Sequence, residues 1–432
     1  MTPPVASTSG ENRIRPWLQT TGGVVAVLLL VQFLTGVLLA FYYVPSVDHA
    51  HTTVSYIEKV VSSGSWLRSL HHYGSQWLAL FAFLHVARLF FDETYIQHKP
   101  RWIAALVLLF LVMAAAGTGY SLPWDARAFF STRVAEGLLG GLPLVGRLAR
   151  LWLLGGSDIS TVTVSRFFAL HVLVTPFLIL ALVAWRVFRV RCWSNLNRNA
   201  IVGGLVFLAL AIWCWKFPAP LGPAVEAATA DYLPRPGAQF LWLYQTLKHV
   251  PGAVGSIVGV LLPGLGLLLL ASLPWLRARR RLIGSMLLGA FALWVLSMTA
   301  AANLSDRRDP RTREQLARQA QAEANWRQQP FTPVKLESVA SSQTASGEPP
   351  LLYVKFCADC HGPHGEGARR GTLNFPPLLG VSTKPRRSVE DIVGLLKDPL
   401  SYGLQPPMRS FADKLPEEQM REIAQWVVQL KR

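Results

Sequence analysis

The sequence predicts an all-α protein in which a seven-helix transmembrane bundle precedes a small, all-α extramembrane domain. Of its 432 residues, 51% are hydrophobic, only 16% are charged and 15 are tryptophan. That balance is too apolar for an ordinary soluble protein. The apolar stretches all lie before about residue 302, and the chain then becomes abruptly polar. This division predicts a membrane-embedded part followed by a soluble C-terminal part.

Seven stretches have, or nearly have, the roughly 20 apolar residues that a transmembrane helix needs. They are 22–43, 70–91, 102–122, 166–188, 200–216, 254–275 and 282–301. The first stretch is too long for a cleaved signal peptide, so we expect it to remain as an anchor. Segment 134–156 is interrupted by Gly, Pro and Arg, which predicts short amphipathic helices at the outer surface.

The net charge of +17 is explained by topology, without a nucleic-acid partner. Arginines and lysines concentrate in the loops at 92–101, 186–200 and 276–281. The positive-inside rule places these loops and the N-terminus in the cytoplasm. Seven crossings then place the C-terminal domain on the periplasmic side of a bacterial inner membrane.

The C-terminal domain contains a C-x-x-C-H motif, formed by Cys357, Cys360 and His361. Two thioether bonds and one iron–imidazole bond at this spacing attach a c-type haem. The alternatives are a chance match or a structural zinc pair. Met408, which follows two prolines, is the expected second iron ligand, and core packing is its alternative role.

Three histidines of the membrane part lie at matched depths. His71 and His85 are fourteen residues apart on one span, hence on one helical face and roughly 21 Å apart. His171 begins another span at the depth of His71. Imidazoles from two helices can hold a six-coordinate haem b. A lone buried histidine more often only forms hydrogen bonds, but three at matched depths favour ligation.

Four runs of this chain resemble the cytochrome b subunit, with a second half of the subunit IV type, of quinol–cytochrome c oxidoreductases. The runs are LRSLHHYGSQWLALFAFLHVARLF, GTGYSLPWDARAFFSTRV, SRFFALHVLVTP and PAPLGPAVEAATADYLPRPGAQFLWLYQTLKHVPG. The resemblance covers roughly residues 13–300. The C-terminal domain, with YVKFCADCHGPHGEG and QPPMRSFADKLPEEQMREIAQWVVQL, resembles a class I cytochrome c.

The resemblance implies a domain division and a set of haem contacts. The division is a four-helix haem domain at 1–190, a three-helix domain at 191–302, a solvent-exposed polar helix with a flexible linker at 303–348, and the cytochrome c domain at 349–432. By this resemblance, His71 and His171 bind the iron of an outer haem b, and His85 binds the iron of an inner haem b. Arg68 and Arg88 bind haem propionates. Three glycines make room for the haems: Gly22, Gly36 and Gly119.

The inner haem site departs from the family pattern. Its second ligand should lie fifteen residues after His171, where this chain has Arg186. Ala105 stands where the family has a glycine. The inner haem is therefore absent, five-coordinate through His85, or completed by His98 from the nearby loop.

The quinol-oxidation site departs as well. The family's Pro-Glu-Trp-Tyr is replaced by Pro236-Gly237-Ala238-Gln239, and glycine cannot take over the proton-accepting role of the glutamate. Tyr120 and Tyr244 remain as the candidate quinol pocket, although Tyr120 also suits an interfacial position. Glu226 and Asp231 are either substitute proton acceptors or solvated loop charges.

The resemblance implies a membrane-bound electron-transfer subunit between the quinone pool, an outer haem b and a periplasmic haem c. The two departures from the family pattern lead to the hypothesis that this subunit works without a full Q cycle. The implied partners are membrane lipid, a Rieske-type iron–sulphur protein or other redox subunits of an oligomeric complex, and a soluble cytochrome c or other periplasmic acceptor. Two alternatives remain open. One is a conventional proton-motive oxidoreductase with substitute residues, and the other is a haem-bearing anchor that serves a separate periplasmic enzyme.

Overall fold

The computed structural model describes two compact units, Met1–Pro333 and Val334–Arg432. The described residues are 20–156, 158–190, 196–225, 228, 232–250, 252–332, 349–370, 373–381, 387–402, 408 and 410–430.

The named secondary-structure elements in the described part of the first unit are all helices. Its α-helices are α1 (Thr21–Ala40), α2 (Ala50–Lys59), α3 (Gly64–Phe91), α4 (Thr94–Gln97), α5 (Lys99–Tyr120), α6 (Ala126–Gly140), α7 (Gly146–Leu154), α8 (Thr161–Phe168), α9 (Thr175–Val190), α10 (Leu196–Lys216), α11 (Leu241–His249), α12 (Gly252–Ser256), α13 (Leu262–Ser272), α14 (Arg280–Arg308) and α15 (Pro310–Gln328). Two π-helical turns, Ala169–Val174 and Ile257–Leu261, join α8 to α9 and α12 to α13. Short 3-10 turns cover Ala238–Phe240 and Leu273–Trp275.

Seven helical segments are long and apolar enough to cross a membrane. They are Thr21–Ala40, Gly64–Phe91, Lys99–Tyr120, Thr161–Phe188, Asn197–Lys216, Val254–Trp275 and Arg280–Arg308. They overlap the seven predicted stretches one for one, so the predicted seven-helix bundle is confirmed. Segment 134–156 contributes the end of α6 and the whole of α7, neither of which is among these spans. The chain is a multi-pass membrane protein.

Helix α3 packs against α1, α5 and α10 through apolar side chains. Val24 and Leu28 of α1, Leu78 of α3 and Leu210 of α10 belong to one buried cluster. A second cluster lies toward the C-terminal end of α3, where the Trp102 indole donates a hydrogen bond to the Leu270 carbonyl at 2.8 Å. Both clusters fix α3, the helix that carries His71 and His85.

The second unit is a small helical domain, as predicted. Its elements are α16 (Leu351–Phe356), α17 (Ala358–His361), β1 (Ala368–Arg370), β2 (Leu373–Phe375), α18 (Val389–Lys397), a 3-10 turn at Pro399–Tyr402 and α19 (Glu417–Gln429). The two short antiparallel strands are an unpredicted addition. Tyr353 packs on Trp426 with ring centroids 4.4 Å apart, which joins α16 to α19.

Candidate haem-binding sites

His71 and His171 face each other across the bundle, with ring centroids 5.9 Å apart. His171 lies in the π-helical turn at Ala169–Val174. Pro176 has no N–H to donate to the preceding turn, and the Thr175 hydroxyl donates to the Leu170 carbonyl at 2.7 Å. Such single π-turns within helices often occur at functional sites.

Hydrogen bonds hold Nδ1 of both rings. The Thr35 hydroxyl donates to the Val31 carbonyl at 2.6 Å, so it accepts from Nδ1 of His71 at 2.9 Å. Nδ1 of His171 donates to the Ala115 carbonyl at 3.0 Å. Each Nε2 therefore keeps its lone pair. An imidazole that binds a metal through Nε2 needs this tautomer, and such second hydrogen bonds also fix the orientation of the ring.

Two of the predicted glycines lie directly against these rings. A Cβ at Gly36 would stand 3.0 Å from Cε1 of His71, and a Cβ at Gly119 would collide with the His171 ring. Gly22 lies against His85 in the same way, with 3.3 Å to its Cε1. At Gly119 a Cβ would force the ring to move, whereas at Gly36 and Gly22 the ring would have to give by about a few tenths of an ångström.

A single large cavity of about 1070 Å³ runs past all three histidines and all three glycines. Arg68 and Arg88 line it too. Each arginine also has a carboxylate partner: Nε of Arg68 lies 2.6 Å from Glu58 and Nε of Arg88 lies 2.9 Å from Asp92. Two facing imidazoles with free Nε2 atoms, a glycine cradle and an apolar cavity fit a haem b at His71 and His171.

The fit is weaker at His85. Its Nδ1 is hydrogen-bonded to the Thr21 hydroxyl at 3.0 Å. Ala105 and Arg186 line the cavity as well. Among the described lining residues the only histidines are His71, His72, His85 and His171. The structure therefore does not bring His98 to the cavity.

Sequence reasoning did not identify Thr21 and Thr35 as partners of the histidines. The sequence nevertheless carries a signal for them. Thr21-Gly22 and Thr35-Gly36 are fourteen residues apart on α1, the same interval that separates His71 from His85 on α3. Each threonine holds a histidine, and the glycine after it makes room for the ring.

The cavity also contains polar groups near Tyr120. The Tyr120 ring lies edge-on to Phe240, with centroids 5.8 Å apart, and both Tyr120 and Gly237 line the cavity. Arg127 and Gln239 are lining residues too, and sequence reasoning missed them. Their Nε and Oε1 atoms are buried and have no hydrogen-bond partner among the described residues, although Arg127 Nε lies 3.5 Å from the Asp125 carboxylate.

Some predicted pocket residues are not at this cavity. Tyr244 is not among its lining residues, and the Lys248 ammonium lies over the Tyr244 ring, 4.3 Å from its centroid. Glu226 and Asp231 lie outside the described residues.

The C-x-x-C-H motif begins at Cys357, between α16 and α17, and its Cys360 and His361 belong to α17. Cys357 is buried and Cys360 is half-buried. Nδ1 of His361 donates to the Pro376 carbonyl at 3.0 Å, which leaves Nε2 free to bind a metal. Met408 packs against the apolar cluster that contains Cys357. These residues fit a covalently attached haem.

Comparisons with known proteins agree with this division of the chain. Residues 9–193 match the family model for cytochrome b/b6/petB, and residues 346–427 match the model for subunit III of cbb3-type cytochrome c oxidase. Cytochrome b of Cereibacter sphaeroides is 36% identical over 186 residues, which are 43% of this chain and 42% of that protein. Cytochrome b of Rickettsia bellii (strain RML369-C) is 31% identical over 288 residues, which are 60% of this chain and 71% of that protein.

The solved structures give the same fold. A chain of a hyperthermophilic respiratory complex III aligns with a TM-score of 0.55 at 21% identity, covering 72% of this chain and 89% of that chain. The bundle and its histidine-lined cavity define a membrane protein that transfers electrons. The chain belongs to the cytochrome b family, as the cytochrome b of a bc-type complex fused to a C-terminal cytochrome c domain. These families imply haem b and haem c.

Proposed function

We propose that this chain is the electron-transfer subunit of a cytochrome bc-type complex, carrying electrons between the quinone pool and a haem c at Cys357 and Cys360. The facing pair His71 and His171, each with Nδ1 bonded and Nε2 free, is the observation that carries this proposal. A haem b there supplies a one-electron carrier. His71 and His171 would hold its iron through Nε2, which suits electron transfer without ligand exchange.

The quinone site is proposed for the part of the cavity around Tyr120. Among the described residues, Gln239 Oε1 is a buried acceptor without a hydrogen-bond donor, and Arg127 Nε makes no hydrogen bond although it is paired with Asp125 at 3.5 Å. A donor and an acceptor together suit the oxygens of a quinone or a quinol. Because Gly237 replaces the family's glutamate, this pocket binds the ring without that residue's carboxylate as proton acceptor.

The inner path is proposed to be interrupted. At the inner haem position, His85 is the only imidazole among the described residues that line the cavity. Arg186 stands where the family has its second ligand. A guanidinium stays protonated and does not replace an imidazole ligand. Electrons from quinol then leave mainly toward haem c, without a complete Q cycle.

The remaining assignments follow the family. Residues 1–190 hold haem b, 191–302 complete the bundle, 303–348 lead from the bundle to the cytochrome c domain, and 349–432 form that domain. The proposed location is a bacterial inner membrane, with the N-terminus in the cytoplasm and the cytochrome c domain in the periplasm. The proposed partners are a Rieske-type iron–sulphur protein or other redox subunits and a periplasmic electron acceptor.

Quinol-driven reduction of haem c in membranes, followed by absorbance, tests this function. We expect reduction in the wild type and its loss in His171→Ala. An anchor for a separate enzyme would show no quinol-driven reduction in either protein. A conventional cycle would instead show two bis-histidine haem b signals and proton release sensitive to quinone-site inhibitors.

A further inference from the structure

Helix α15, which the sequence predicts to be solvent-exposed, contacts other parts of the first unit along one of its faces. Lys59 Nζ donates to the carbonyls of Trp326 and Gln329 at 2.6 and 2.9 Å, and lies 4.0 Å from the centroid of the Trp326 ring. The Glu323 carboxylate accepts from the Leu221 amide at 3.0 Å. These contacts fix the end of α15 from which the chain continues to the C-terminal unit.

Arg327, at the end of α15, shares its acceptors with Arg68. Arg327 and Arg68 are both paired with the Glu58 carboxylate. They also both donate to the Ala219 carbonyl, and the bond from Arg327 is 2.6 Å long. The side chains of Glu58 and Arg68 are only 3% and 8% exposed, so solvent screens this cluster weakly.

The cluster keeps Glu58 ionised. Burial alone would raise the pKa of Glu58, but Arg68 and Arg327 more than offset that effect, so its pKa lies below the ordinary value. Arg68 is one helical turn before His71 on α3 and lines the cavity beside it. A charge change at Glu58 or Arg327 therefore acts next to the His71–His171 pair.

We propose that Glu58 and Arg327 are positioning residues that hold Arg68 at the outer haem b and tune the potential of that haem, so that the segment leading to haem c is electrostatically coupled to it. This inference rests on the proposed function, because it requires a haem at His71 and His171. The ferric haem carries one more positive charge than the ferrous haem. Glu58 therefore favours the ferric form and Arg327 favours the ferrous form.

Spectroelectrochemical titration of the full-length protein in nanodiscs tests this inference. The outer haem is identified as the haem b signal that His171→Ala removes. We expect Glu58→Gln to raise its midpoint potential, Arg327→Gln to lower it, and the double variant to return it toward the wild-type value. Arg327→Lys, which keeps the charge, and Arg318→Gln, which changes an exposed arginine of the same helix, should leave it near the wild-type value.

Equal potentials in all variants, or shifts of the same sign for Glu58→Gln and Arg327→Gln, would overturn the inference. If Glu58→Gln does not fold, the difference in midpoint potential between Arg327→Gln and Arg327→Lys still tests the inference. If the variants at position 327 do not fold, the sign of the potential shift in Glu58→Gln tests it. A wild-type protein without a haem b signal sensitive to His171→Ala would instead overturn the proposed function itself.

Discussion

The imidazoles of His71 and His171 lie 5.9 Å apart, centroid to centroid, although the two residues are one hundred positions apart in the sequence. Metal–imidazole bonds of about 2.0–2.1 Å place two opposed nitrogens about 4 Å apart, and each ring centroid lies about an ångström further out. The observed spacing thus approaches that of two axial ligands on one iron. Because α3 and the π-helical turn hold the two rings, the pair is a property of the folded bundle.

Replacing either ring should remove one low-spin haem b signal. We expect His71→Ala and His171→Ala each to lose the same low-spin haem b signal, since one remaining imidazole leaves the iron five-coordinate. Absorption and electron paramagnetic resonance spectra of the purified variants measure this loss. His249→Ala, which changes an exposed histidine at the end of α11, is the control and should keep the signal. A retained low-spin signal in His171→Ala would refute the ligand assignment.

The glycine next to His171 should be specifically required. Gly119→Ala places a methyl group against the His171 ring, so we expect the outer haem to be lost or its spectrum to shift. Gly117→Ala is a matched control on the same helix, because its Cβ would meet nothing within 4 Å. The haem content and the absorption spectrum of each purified variant measure these effects. Identical spectra for the two variants would contradict the cradle role of Gly119.

Thr35 should strengthen the iron–His71 bond. Thr35→Val keeps the shape but removes the acceptor for Nδ1 of His71. Loss of such a partner typically weakens metal binding by roughly 10- to 100-fold. Haem release to apomyoglobin measures the effect on the outer haem. Ser297→Ala, which removes a hydroxyl bonded within its own helix, should release haem at the wild-type rate. An unchanged rate in Thr35→Val would show that this hydrogen bond does not stabilise the site.

Acid should loosen α15 only below the ordinary pKa of a glutamate. Because the folded-state pKa of Glu58 is lowered from 4.5, its contribution to stability is complete above pH 4.5 and is lost as pH falls through the folded value. Glu323 is a second carboxylate beside Arg327, and it is also paired with Arg127. Hydrogen exchange in α15, corrected for the intrinsic pH effect, should stay constant from pH 7 to 4.5. Glu58→Gln should raise exchange already at pH 7, and rising wild-type exchange above pH 4.5 would contradict the account.

Met408 should set the potential of haem c. We expect Met408→Ala to keep the covalent haem, which the cysteines hold, and to lower its midpoint potential because the thioether ligand is lost. Redox titration of the full chain measures the change. Met420→Leu, a conservative change in the core of the same unit, should leave the potential unaltered. A drop only in the Met420 variant would refute the assignment of Met408.

The sequence predicted what lies close together along the chain or repeats at helical intervals. C-x-x-C-H is contiguous, and the fourteen-residue interval from His71 to His85 is readable on a single helix. Arg68 was different, because its partners are Glu58 on another helix and, through Glu58, Arg327, 269 residues further on. Such pairing depends on tertiary packing, which a motif does not record. Tyr244, a residue matched to the family pattern, is not among the residues that line the cavity beside Tyr120, and its place in a quinol pocket stays a prediction.

A density map of the purified full-length protein in nanodiscs tests the central claim most directly. We expect a porphyrin between His71 and His171, with iron bonded to Nε2 of both rings, and a second porphyrin attached to Cys357 and Cys360. A map with well-resolved side chains and no porphyrin between His71 and His171 would contradict the account.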